Sequence, residues 1–422
     1  MLKKIQTSQL RLGMHVHALE GSWLEHPFWT SKFMLDSPAD LKRLRESGMK
    51  ECWINAALGR DVEQAQGVSL ASAGLKEAAP SRSAQTSAAG TVAAASAAKA
   101  PEASKTLSEE LDQAAAVCKQ GREAVTAMFN EARMGRAIDS EACQPLVEAI
   151  SQSVVRNSGA MVSLLRIKSR DDYTYMHSLA VCALMISLAR QLGMDEDATR
   201  NAGMAGLLHD IGKVLMPLEV LNKPGKLSSD ELDIMRTHPA RGHALLLEGQ
   251  GACPEALDVC LHHHERMDGM GYPFKLPAEQ ISVFARMGAV SDVYDATTSV
   301  RPYKAGWGPA ESISQMASWK GHFDLTVFNA FVRALGIYPV GSLVRLSSGM
   351  LAVVVEQNPQ TLTAPIVKTF FSTRTEMRTT PQRLDLSRLS EERIVGREPA
   401  EDWADARLDE LWLPADVLRR SR

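Results

Sequence analysis

The spacing of hydrophobic and polar residues changes along the chain, and its longest uniform stretch is helical. From about residue 106 to residue 335, apolar residues recur every three or four positions, as they do on one face of an amphipathic helix. Ser228, with Glu231 three positions later, is typical of a capping box at a helix start. The pattern predicts a helical domain over residues 106–338.

The period shortens to that of β-strands after the helical stretch. Residues 342–346 and 351–355 are largely apolar and are separated by Ser-Ser-Gly-Met, which is typical of a hairpin. Residues 366–371 predict a third strand. We therefore expect residues 339–422 to form a small β-subdomain followed by a charged tail.

The amino-terminal region has a mixed pattern. Residues 16–19 and 52–54 have strand character. Between them, Ser37 followed by Pro38 is typical of a helix start, because Ser37 can accept from a free N–H group and Pro38 suits the first helical position. Residues 1–62 are therefore expected to form a small α+β domain, and the fold class of the whole chain is mainly α.

A change of composition follows this domain. Of the 34 residues from 71 to 104, fourteen are Ala and six are Ser. Ala favours helix, but Ser, Thr, Gly and Pro are interspersed and no apolar stripe is present, as in flexible linkers. The sequence therefore predicts a linker over residues 63–105.

Composition and charge narrow the class of protein. The 422 residues include 47 basic and 50 acidic side chains, which give a net charge of −3. A dedicated nucleic-acid-coating protein would carry a basic excess, so a nucleic-acid polymer is not expected as a partner. The best apolar run, residues 179–186, is far shorter than the ~20 residues that span a bilayer. The amino terminus lacks the apolar segment of a signal peptide.

The cysteines indicate a compartment. Six are present and none forms a CxxC pair, so they are expected to be buried thiols in a reducing environment. We therefore expect a cytoplasmic protein without membrane insertion.

Histidines carry the strongest chemical signal. Of the eleven, six stand in suggestive contexts between residues 177 and 264, on segments that otherwise look buried. They are His177, His209, His238, His262, His263 and His264. A single histidine on a helix is more often structural, but uncompensated buried polar groups are costly. A shared metal centre, with Asp210 and Asp292 as carboxylate ligands, would satisfy the group.

The spacing favours more than one ion. His263 and His264 are consecutive, so on a helix their side chains would point ~100° apart and serve two neighbouring ions. Asp210 could bridge these ions with its two oxygens. Imidazoles and carboxylates without thiolates suit Fe, Mn, Zn, Co or Ni. Two such ions about 3.5–4 Å apart would clamp a phosphoryl group.

Three motifs resemble one known family. His209-Asp210-Ile211-Gly212-Lys213 resembles the signature of the HD hydrolase superfamily, which has an HD-type helical bundle. The segment from His263 to Pro273 resembles the HHExxDGxGYP motif of its HD-GYP subfamily. Asp292-Val293-Tyr294-Asp295, followed by Arg301-Pro302-Tyr303-Lys304, is similar to that subfamily's downstream segment. Residues 10–14 resemble a domain of unknown function often found ahead of such domains.

The resemblance implies roles for individual residues. It implies two divalent transition metals, with Fe or Mn favoured, whose ligands are His177, His209, Asp210, His238, His263, His264 and Asp292. Asp210 would bridge, and His209, Asp210 and Lys213 would be catalytic, with Lys213 at the scissile phosphate. Substrate would also be held by Tyr272, Arg301 and Lys304. Asp295 could hold Arg301, or belong with Glu265 and Arg266 to a salt-bridge network.

The implied activity is hydrolysis of cyclic di-GMP to pGpG, which a second cut would convert to GMP. Some family members recruit a third metal through a glutamate one turn before the first histidine ligand. Tyr173 occupies that position here, which favours a binuclear site. Two alternatives stay open: an HD hydrolase of another cyclic dinucleotide or nucleotide, and a catalytically silent signalling module. A second copy of the chain or a signalling protein is a further candidate partner.

Overall fold

The computed structural model forms two compact units, residues 1–102 and 103–422. The described parts of the chain are residues 2–19, 33–38, 41–42, 45, 51–60, 107–166, 173–223, 225–299, 306–358, 360–399, 403 and 408–413. The predicted linker lies outside the described residues, as does most of the helix predicted from Ser37. The predicted domain boundaries therefore stay predictions.

The amino-terminal unit contains a four-stranded sheet. Its strands are β1 (Leu2–Gln6), β2 (His15–Leu19), β3 (Phe33–Met34) and β4 (Glu51–Asn55). They pair antiparallel in the order β1-β4-β2-β3. Cys52 and Ile54 are fully buried whereas Trp53 between them is partly exposed, because alternate residues of a strand face opposite sides. The buried side chains pack with Leu10, Met14 and Leu35.

Helices dominate the second unit. In chain order they are α1 (Leu107–Arg133), α2 (Gln144–Arg166), α3 (Tyr173–Gln191), α4 (Glu196–Leu208), α5 (Leu218–Leu221), α6 (Ser229–Met235), α7 (His238–Glu248), α8 (Pro254–His262), α9 (Val283–Thr298), α10 (Pro309–Ser318) and α11 (Leu325–Leu335). The capping box predicted at Ser228 begins α6, with both reciprocal hydrogen bonds to Glu231 present.

Helix α3 is the centre of the helical packing. Every residue from 177 to 189 is buried, and a helix that is apolar on all sides belongs inside a fold. It packs against α1, α2, α4, α9 and α11. His177 lies near the amino-terminal end of this helix. The most buried helix thus carries a polar side chain into the interior, which requires compensation.

The carboxyl-terminal part of the same unit is a β-sheet. Its strands are β5 (Leu343–Leu346), β6 (Met350–Glu356), β7 (Ile366–Ser372), β8 (Met377–Asp385) and β9 (Ile394–Arg397). All neighbours are antiparallel, in the order β8-β7-β6-β5-β9. Val344, Val354 and Val367 form the centre of its apolar cluster.

The predicted fold class is confirmed: the chain is mainly α with small β-sheets. The predicted hairpin forms between β5 and β6, and the third predicted strand is β7. Strands β1, β3, β8 and β9 were not predicted. Among the residues that the structure describes, no helix combines the length and the apolar character needed to cross a bilayer.

Candidate metal centre

Seven side chains converge in the interior of the helical unit. Their ligand atoms fall into two groups, and within each group all of these atoms lie within 4.8 Å of one another. The first group is His177, His209 and Asp292, and the second is Asp210, His238, His263 and His264. These seven are the residues that the motifs singled out as metal ligands.

Two of these side chains lie within helices, and the other five lie at or just after helix ends. His177 and Asp292 lie within α3 and α9, whereas His209 and Asp210 follow the last turn of α4. His238 begins α7, and His263 and His264 follow α8. Because the residues come from five different segments, the centre exists only when these helices pack together.

A close backbone approach holds two of these segments in place. A Cβ atom added at Gly212 would lie 2.0 Å from the carbonyl oxygen of His238, and one added at Gly242 would lie 2.8 Å from the nitrogen of Gly212. No side chain fits at either point. The glycine of the His209–Lys213 motif therefore lets its segment lie against α7, next to His238.

The histidine rings are oriented by hydrogen bonds on their Nδ1 side. Three Nδ1 atoms donate to backbone carbonyls at 2.8–2.9 Å: His209 to Gly206, His238 to Met235 and His263 to Val259. His177 Nδ1 lies 2.6 Å from Asp295 Oδ2. Each bond leaves Nε2 as the nitrogen that faces the centre, as in metal-binding histidines whose other nitrogen is fixed by an acceptor.

The inward-facing atoms are crowded in a way that suits cations. The Nε2 atoms of His177 and His209 are 3.2 Å apart, and those of His238 and His263 are 3.4 Å apart. The two oxygens of Asp210 face different groups: Oδ2 is 3.3 Å from His209 Nε2, and Oδ1 is 3.2 Å from His238 Nε2. Asp210 Oδ1 is buried and has no hydrogen-bond donor among the described residues. Closely spaced ring nitrogens and a carboxylate oxygen without a donor fit a pair of bound cations.

The electrostatics keep the donor atoms in their metal-binding forms. Burial alone would raise the pKa of Asp210, but Lys213 and His209 hold that pKa well below its ordinary value. Burial and the neighbouring His209 lower the pKa of His263 to about 3, and burial and His263 lower that of His264. Carboxylates are therefore ionised and these imidazoles are neutral at pH 7.

His177 is the exception among the imidazoles. Burial lowers its pKa, but hydrogen bonds to Asp210, Asp292 and Asp295 outweigh burial and raise the pKa to about 10. Its Nε2 atom lies 3.0 Å from Asp292 Oδ1. Three carboxylates around one imidazole mark the most negative part of the centre.

From the sequence, His263 and His264 were expected to serve two different ions, and the structure contradicts this. Both belong to the group around Asp210, and their ring centroids are 4.0 Å apart. Helix α8 ends at His262, so the ~100° helical rotation does not apply to the two residues that follow. His262 itself points elsewhere, with Nδ1 bonded to Asp258 at 2.8 Å.

The segment after His264 folds into a loop over the second group. Tyr272 stacks on the His264 ring, with centroids 4.5 Å apart. Glu265 is buried and accepts hydrogen bonds from the backbone N–H groups of Phe274 and Leu276. Gly271 is required for space, because a Cβ there would lie 2.5 Å from the nitrogen of Arg266. The loop is thus braced so that Tyr272 stays beside the centre.

Of the other residues predicted to bind substrate, the structure describes only Lys213. Lys213 contacts Asp210 Oδ2, and about a fifth of its side chain, 22%, is exposed. Its ammonium group therefore lies between the ligands and solvent. Arg301 and Lys304 lie outside the described residues, so their substrate-binding role stays a prediction.

Two further residues belong to the surroundings of the centre and were not assigned there from the sequence. Asp295 bonds to His177, and its predicted partner Arg301 lies outside the described residues, so that pairing stays a prediction. Arg236 places its guanidinium 5.7 Å from the Tyr272 ring centroid. The one signal for Asp295 was its position one helical turn after Asp292, which puts both on the same face of α9.

Comparisons with known proteins agree with this centre. Residues 2–143 match the family DUF3391, a domain of unknown function, and residues 152–327 match the HD domain family. The DUF3391 match thus runs past the predicted linker and includes α1. The HD match contains all seven ligand-group residues.

Named relatives cover different shares of the chain. A cyclic di-GMP phosphodiesterase of Pseudomonas aeruginosa is 53% identical over 98% of this chain and 96% of that protein. The cyclic di-GMP phosphodiesterase response regulator of Xanthomonas campestris is 38% identical over 47% of this chain and 53% of that protein. A 3'3'-cGAMP-specific phosphodiesterase of Vibrio cholerae is 34% identical over 41% of each.

The near full-length match and the HD domain extend the motif resemblance to the whole chain. This chain therefore belongs to the HD-GYP family of cyclic di-GMP phosphodiesterases, within the HD hydrolase superfamily, and carries a DUF3391 domain ahead of its HD domain.

Proposed function

We propose that this chain hydrolyses cyclic di-GMP to pGpG at the seven-residue centre. The observation that carries the proposal is the pair of residue groups joined by Asp210, whose buried Oδ1 has no donor among the residues that the structure describes. The relative that matches nearly the whole chain at 53% identity is named for this activity. A second cut of pGpG would give GMP.

The ligand assignment follows the two groups. We assign His177, His209 and Asp292 to one ion and His238, His263 and His264 to the other, with one oxygen of Asp210 for each. The nitrogen and carboxylate donors lack thiolates, which suits Fe or Mn as resident ions, and Zn, Co or Ni would also fit. Two such ions supply a nucleophile at neutral pH and positive charge against the scissile phosphodiester.

The remaining side chains bind and orient the substrate. Lys213 supplies positive charge where negative charge grows on the phosphoryl oxygens, and its exposure beside Asp210 gives it access to a ligand. Tyr272 forms a wall above His264 that a guanine or ribose can contact. Arg301 and Lys304 are proposed to hold the second phosphate or a guanine edge.

The setting of the reaction is proposed to be the cytoplasm. The six cysteines are free thiols, which is consistent with a reducing compartment. Burial raises the pKa of Cys118 to about 12, so this thiol stays protonated and inert.

A second candidate substrate is 3'3'-cGAMP, because a relative at 34% identity is named for it. That relative covers less than half of this chain, whereas the cyclic di-GMP relative covers nearly all of it. A guanine-to-adenine change alters hydrogen-bonding groups on one base only, so discrimination rests on contacts to that base.

The experiment compares the two substrates on one preparation. The full chain is purified without oxygen, its metals are counted, and it is incubated with cyclic di-GMP or 3'3'-cGAMP. The products are resolved as pGpG and GMP for the first substrate, and as pGpA, pApG, GMP and AMP for the second. We expect about two ions per chain, faster turnover of cyclic di-GMP, and loss of turnover after chelation that added metal restores. Faster turnover of 3'3'-cGAMP would move the assignment to that substrate. No turnover of either, and no bound metal, would instead indicate a silent interaction module.

A further inference from the structure

A cavity of about 430 Å³ lies in the helical unit between α2, α3, α9 and the segment that follows α11. Its walls include the apolar side chains of Val162, Leu184 and Leu335. A cavity of this size is in the range of small-molecule sites, about 300–1,000 Å³. None of the seven ligand-group residues lines it.

Arg166, the last residue of α2, is one of several charged residues that line this cavity. Among the others, Arg156 pairs with Glu110, Asp295 bonds to His177 and Glu356 pairs with Arg383. Arg166 Nη1 donates to the carbonyl of Val340 at 2.9 Å, and its guanidinium lies 5.6 Å from the Trp412 ring centroid. A Cβ at Gly341 would lie 2.1 Å from Nη2, so the glycine makes room for the group. The guanidinium is therefore fixed in position before any ligand arrives.

The charge of Arg166 is not neutralised at contact distance. Within the described parts of the chain, Arg166 forms no ion pair with a carboxylate, and Asp409 acts on it only from farther away. Burial lowers the pKa of Arg166, although the side chain is only partly buried. Removing a charge from water is costly unless it is paired, so an anion in the cavity would be a favourable partner for this guanidinium.

A second polar atom in the wall is also unsatisfied. Gln357 Nε2 donates to the carbonyl of Tyr338 at 2.6 Å, which fixes the amide orientation. Its Oε1 has no donor among the described residues. The guanidinium of Arg166 can donate to an oxyanion, and the amide oxygen of Gln357 can accept from an N–H or O–H group. Together with the apolar walls, these groups fit a ligand that carries an oxyanion, an N–H or O–H group and an apolar body.

We propose that this cavity is a binding site for a small amphipathic oxyanion, a carboxylate or phosphate attached to an apolar body, with Arg166 as its anchor. Arginine presents paired donors in a plane, which matches both oxyanions. The apolar walls would cover the remainder of the ligand.

The cavity also contacts the residue that orients a ligand-group histidine. Asp295 lines the cavity and bonds to His177 Nδ1 at 2.6 Å. A ligand that shifts Asp295 would therefore alter how His177 holds a metal. Because coupling between two binding sites is reciprocal, occupancy of the cavity and metal affinity should depend on each other. This coupling rests on the proposed metal role of His177, whereas anion binding does not.

Binding is tested with anilinonaphthalene sulfonate, an apolar anion with an N–H group, whose fluorescence rises in apolar sites. The full chain is titrated, and decanoate, decyl phosphate and uncharged decanol are used as competitors. We expect saturable one-to-one binding that decanoate or decyl phosphate displaces and decanol displaces poorly. The stronger competitor identifies the carboxylate or the phosphate as the preferred oxyanion.

Variants locate the bound probe. Arg166→Met should weaken binding roughly 10- to 100-fold, the effect of losing a charge-assisted hydrogen bond, and Arg166→Lys should fall between. Val162→Trp should block the cavity while leaving Arg166 in place, which covers the case in which Arg166→Met folds poorly. Arg388→Met is the matched control, because Arg388 is 85% exposed. Equal affinity in wild type, Arg166→Met and Val162→Trp would overturn the proposal.

Coupling between the cavity and the metal centre is measured in a separate experiment. The affinity for Mn²⁺ is measured by chelator competition with and without saturating decanoate or decyl phosphate. A change of several-fold, in the range of about 5- to 150-fold seen for coupled sites, supports the link through Asp295. An unchanged metal affinity alongside proven anion binding would overturn the coupling and leave the site intact. Failure of cyclic di-GMP turnover would affect neither measurement.

Discussion

Two sets of buried charged side chains in the helical unit satisfy their charges in opposite ways. Glu110 of α1 is fully buried, and its two oxygens accept from Arg156 at 2.7 and 2.9 Å and from Ser153 at 2.8 Å. In the candidate metal centre, Asp210 is almost equally buried, but its Oδ1 has no donor within the parts of the chain that the structure describes. The first set is complete within the protein, and the second is not.

The difference between Glu110 and Asp210 distinguishes buried polar groups that serve the fold from those that serve a function. A buried carboxylate that is fully bonded contributes to one packing arrangement, and removing its partner leaves an unpaired charge. A buried carboxylate with an unused lone pair requires a partner from outside the chain. By this criterion the centre around Asp210 and the cavity around Arg166 belong together, and the Glu110–Arg156 pair is structural.

The largest expected effect comes from removing the shared carboxylate and its neighbour. We predict that the double substitution His209→Ala and Asp210→Ala lowers turnover by more than about 1,000-fold, as for residues that act as one catalytic unit. Metal content should fall in parallel, because both ligand groups lose a donor. Turnover and metal per chain are measured on the same sample. Surviving activity would refute the binuclear assignment.

Breaking the Glu110–Arg156 pair should lower the stability of the protein and leave its metal content unchanged. We predict that Arg156→Met lowers the free energy of unfolding by about 3–5 kcal/mol, because it leaves the Glu110 charge buried and unpaired. Denaturant melts measure the loss, and metal content should stay near wild type in the folded protein. The matched variant replaces both residues, Glu110→Gln with Arg156→Met, and should recover much of the loss. A loss of metal in Arg156→Met would contradict the purely structural role of the Glu110–Arg156 pair.

Much of the fold follows from the hydrophobic pattern, and the strands that were missed lack a readable pattern for different reasons. Strands β6 and β7 carry mainly apolar residues and were predicted, whereas most side chains of β8 are exposed. A strand that buries neither face shows no alternation of apolar and polar residues. Strand β9 is only four residues long, which is too short for a period to show.

The seven side chains that converge here were the ones the motifs singled out, because motifs fix residue types and spacing, but the orientation of these side chains was not predictable. The acceptors of three histidine Nδ1 atoms are backbone carbonyls, which no side-chain pattern reveals. Asp295 lies 118 positions from its partner His177, so only the packing of α3 on α9 brings them together. The His263–His264 grouping depended on where α8 ends, and helix ends are uncertain from sequence by a few residues.

Asp295 offers a finer test of how the centre is completed. We predict that Asp295→Asn weakens metal binding about 10- to 100-fold, the usual effect of losing the acceptor behind a ligating histidine. The matched control is Asp258→Asn, because Asp258 makes the same kind of bond to His262 outside the ligand groups. Metal affinity is measured for both variants by chelator competition. Equal affinities in the two would mean that Asp295 does not position His177 for a metal.

The pH dependence of metal binding probes the same histidine with the smallest expected effect. Burial lowers the pKa of His177, but its three carboxylate neighbours raise the pKa to about 10, so the metal-free side chain is protonated at neutral pH. A metal must displace that proton, and its affinity therefore rises with pH, by about tenfold between pH 7 and pH 8 for one proton. The rise should end near pH 10, above which no proton remains to be displaced. In Asp295→Asn one raising carboxylate is removed, so the rise should end at a lower pH. Chelator competition across this range measures the slope, and a flat profile would show that His177 is neutral before the metal binds.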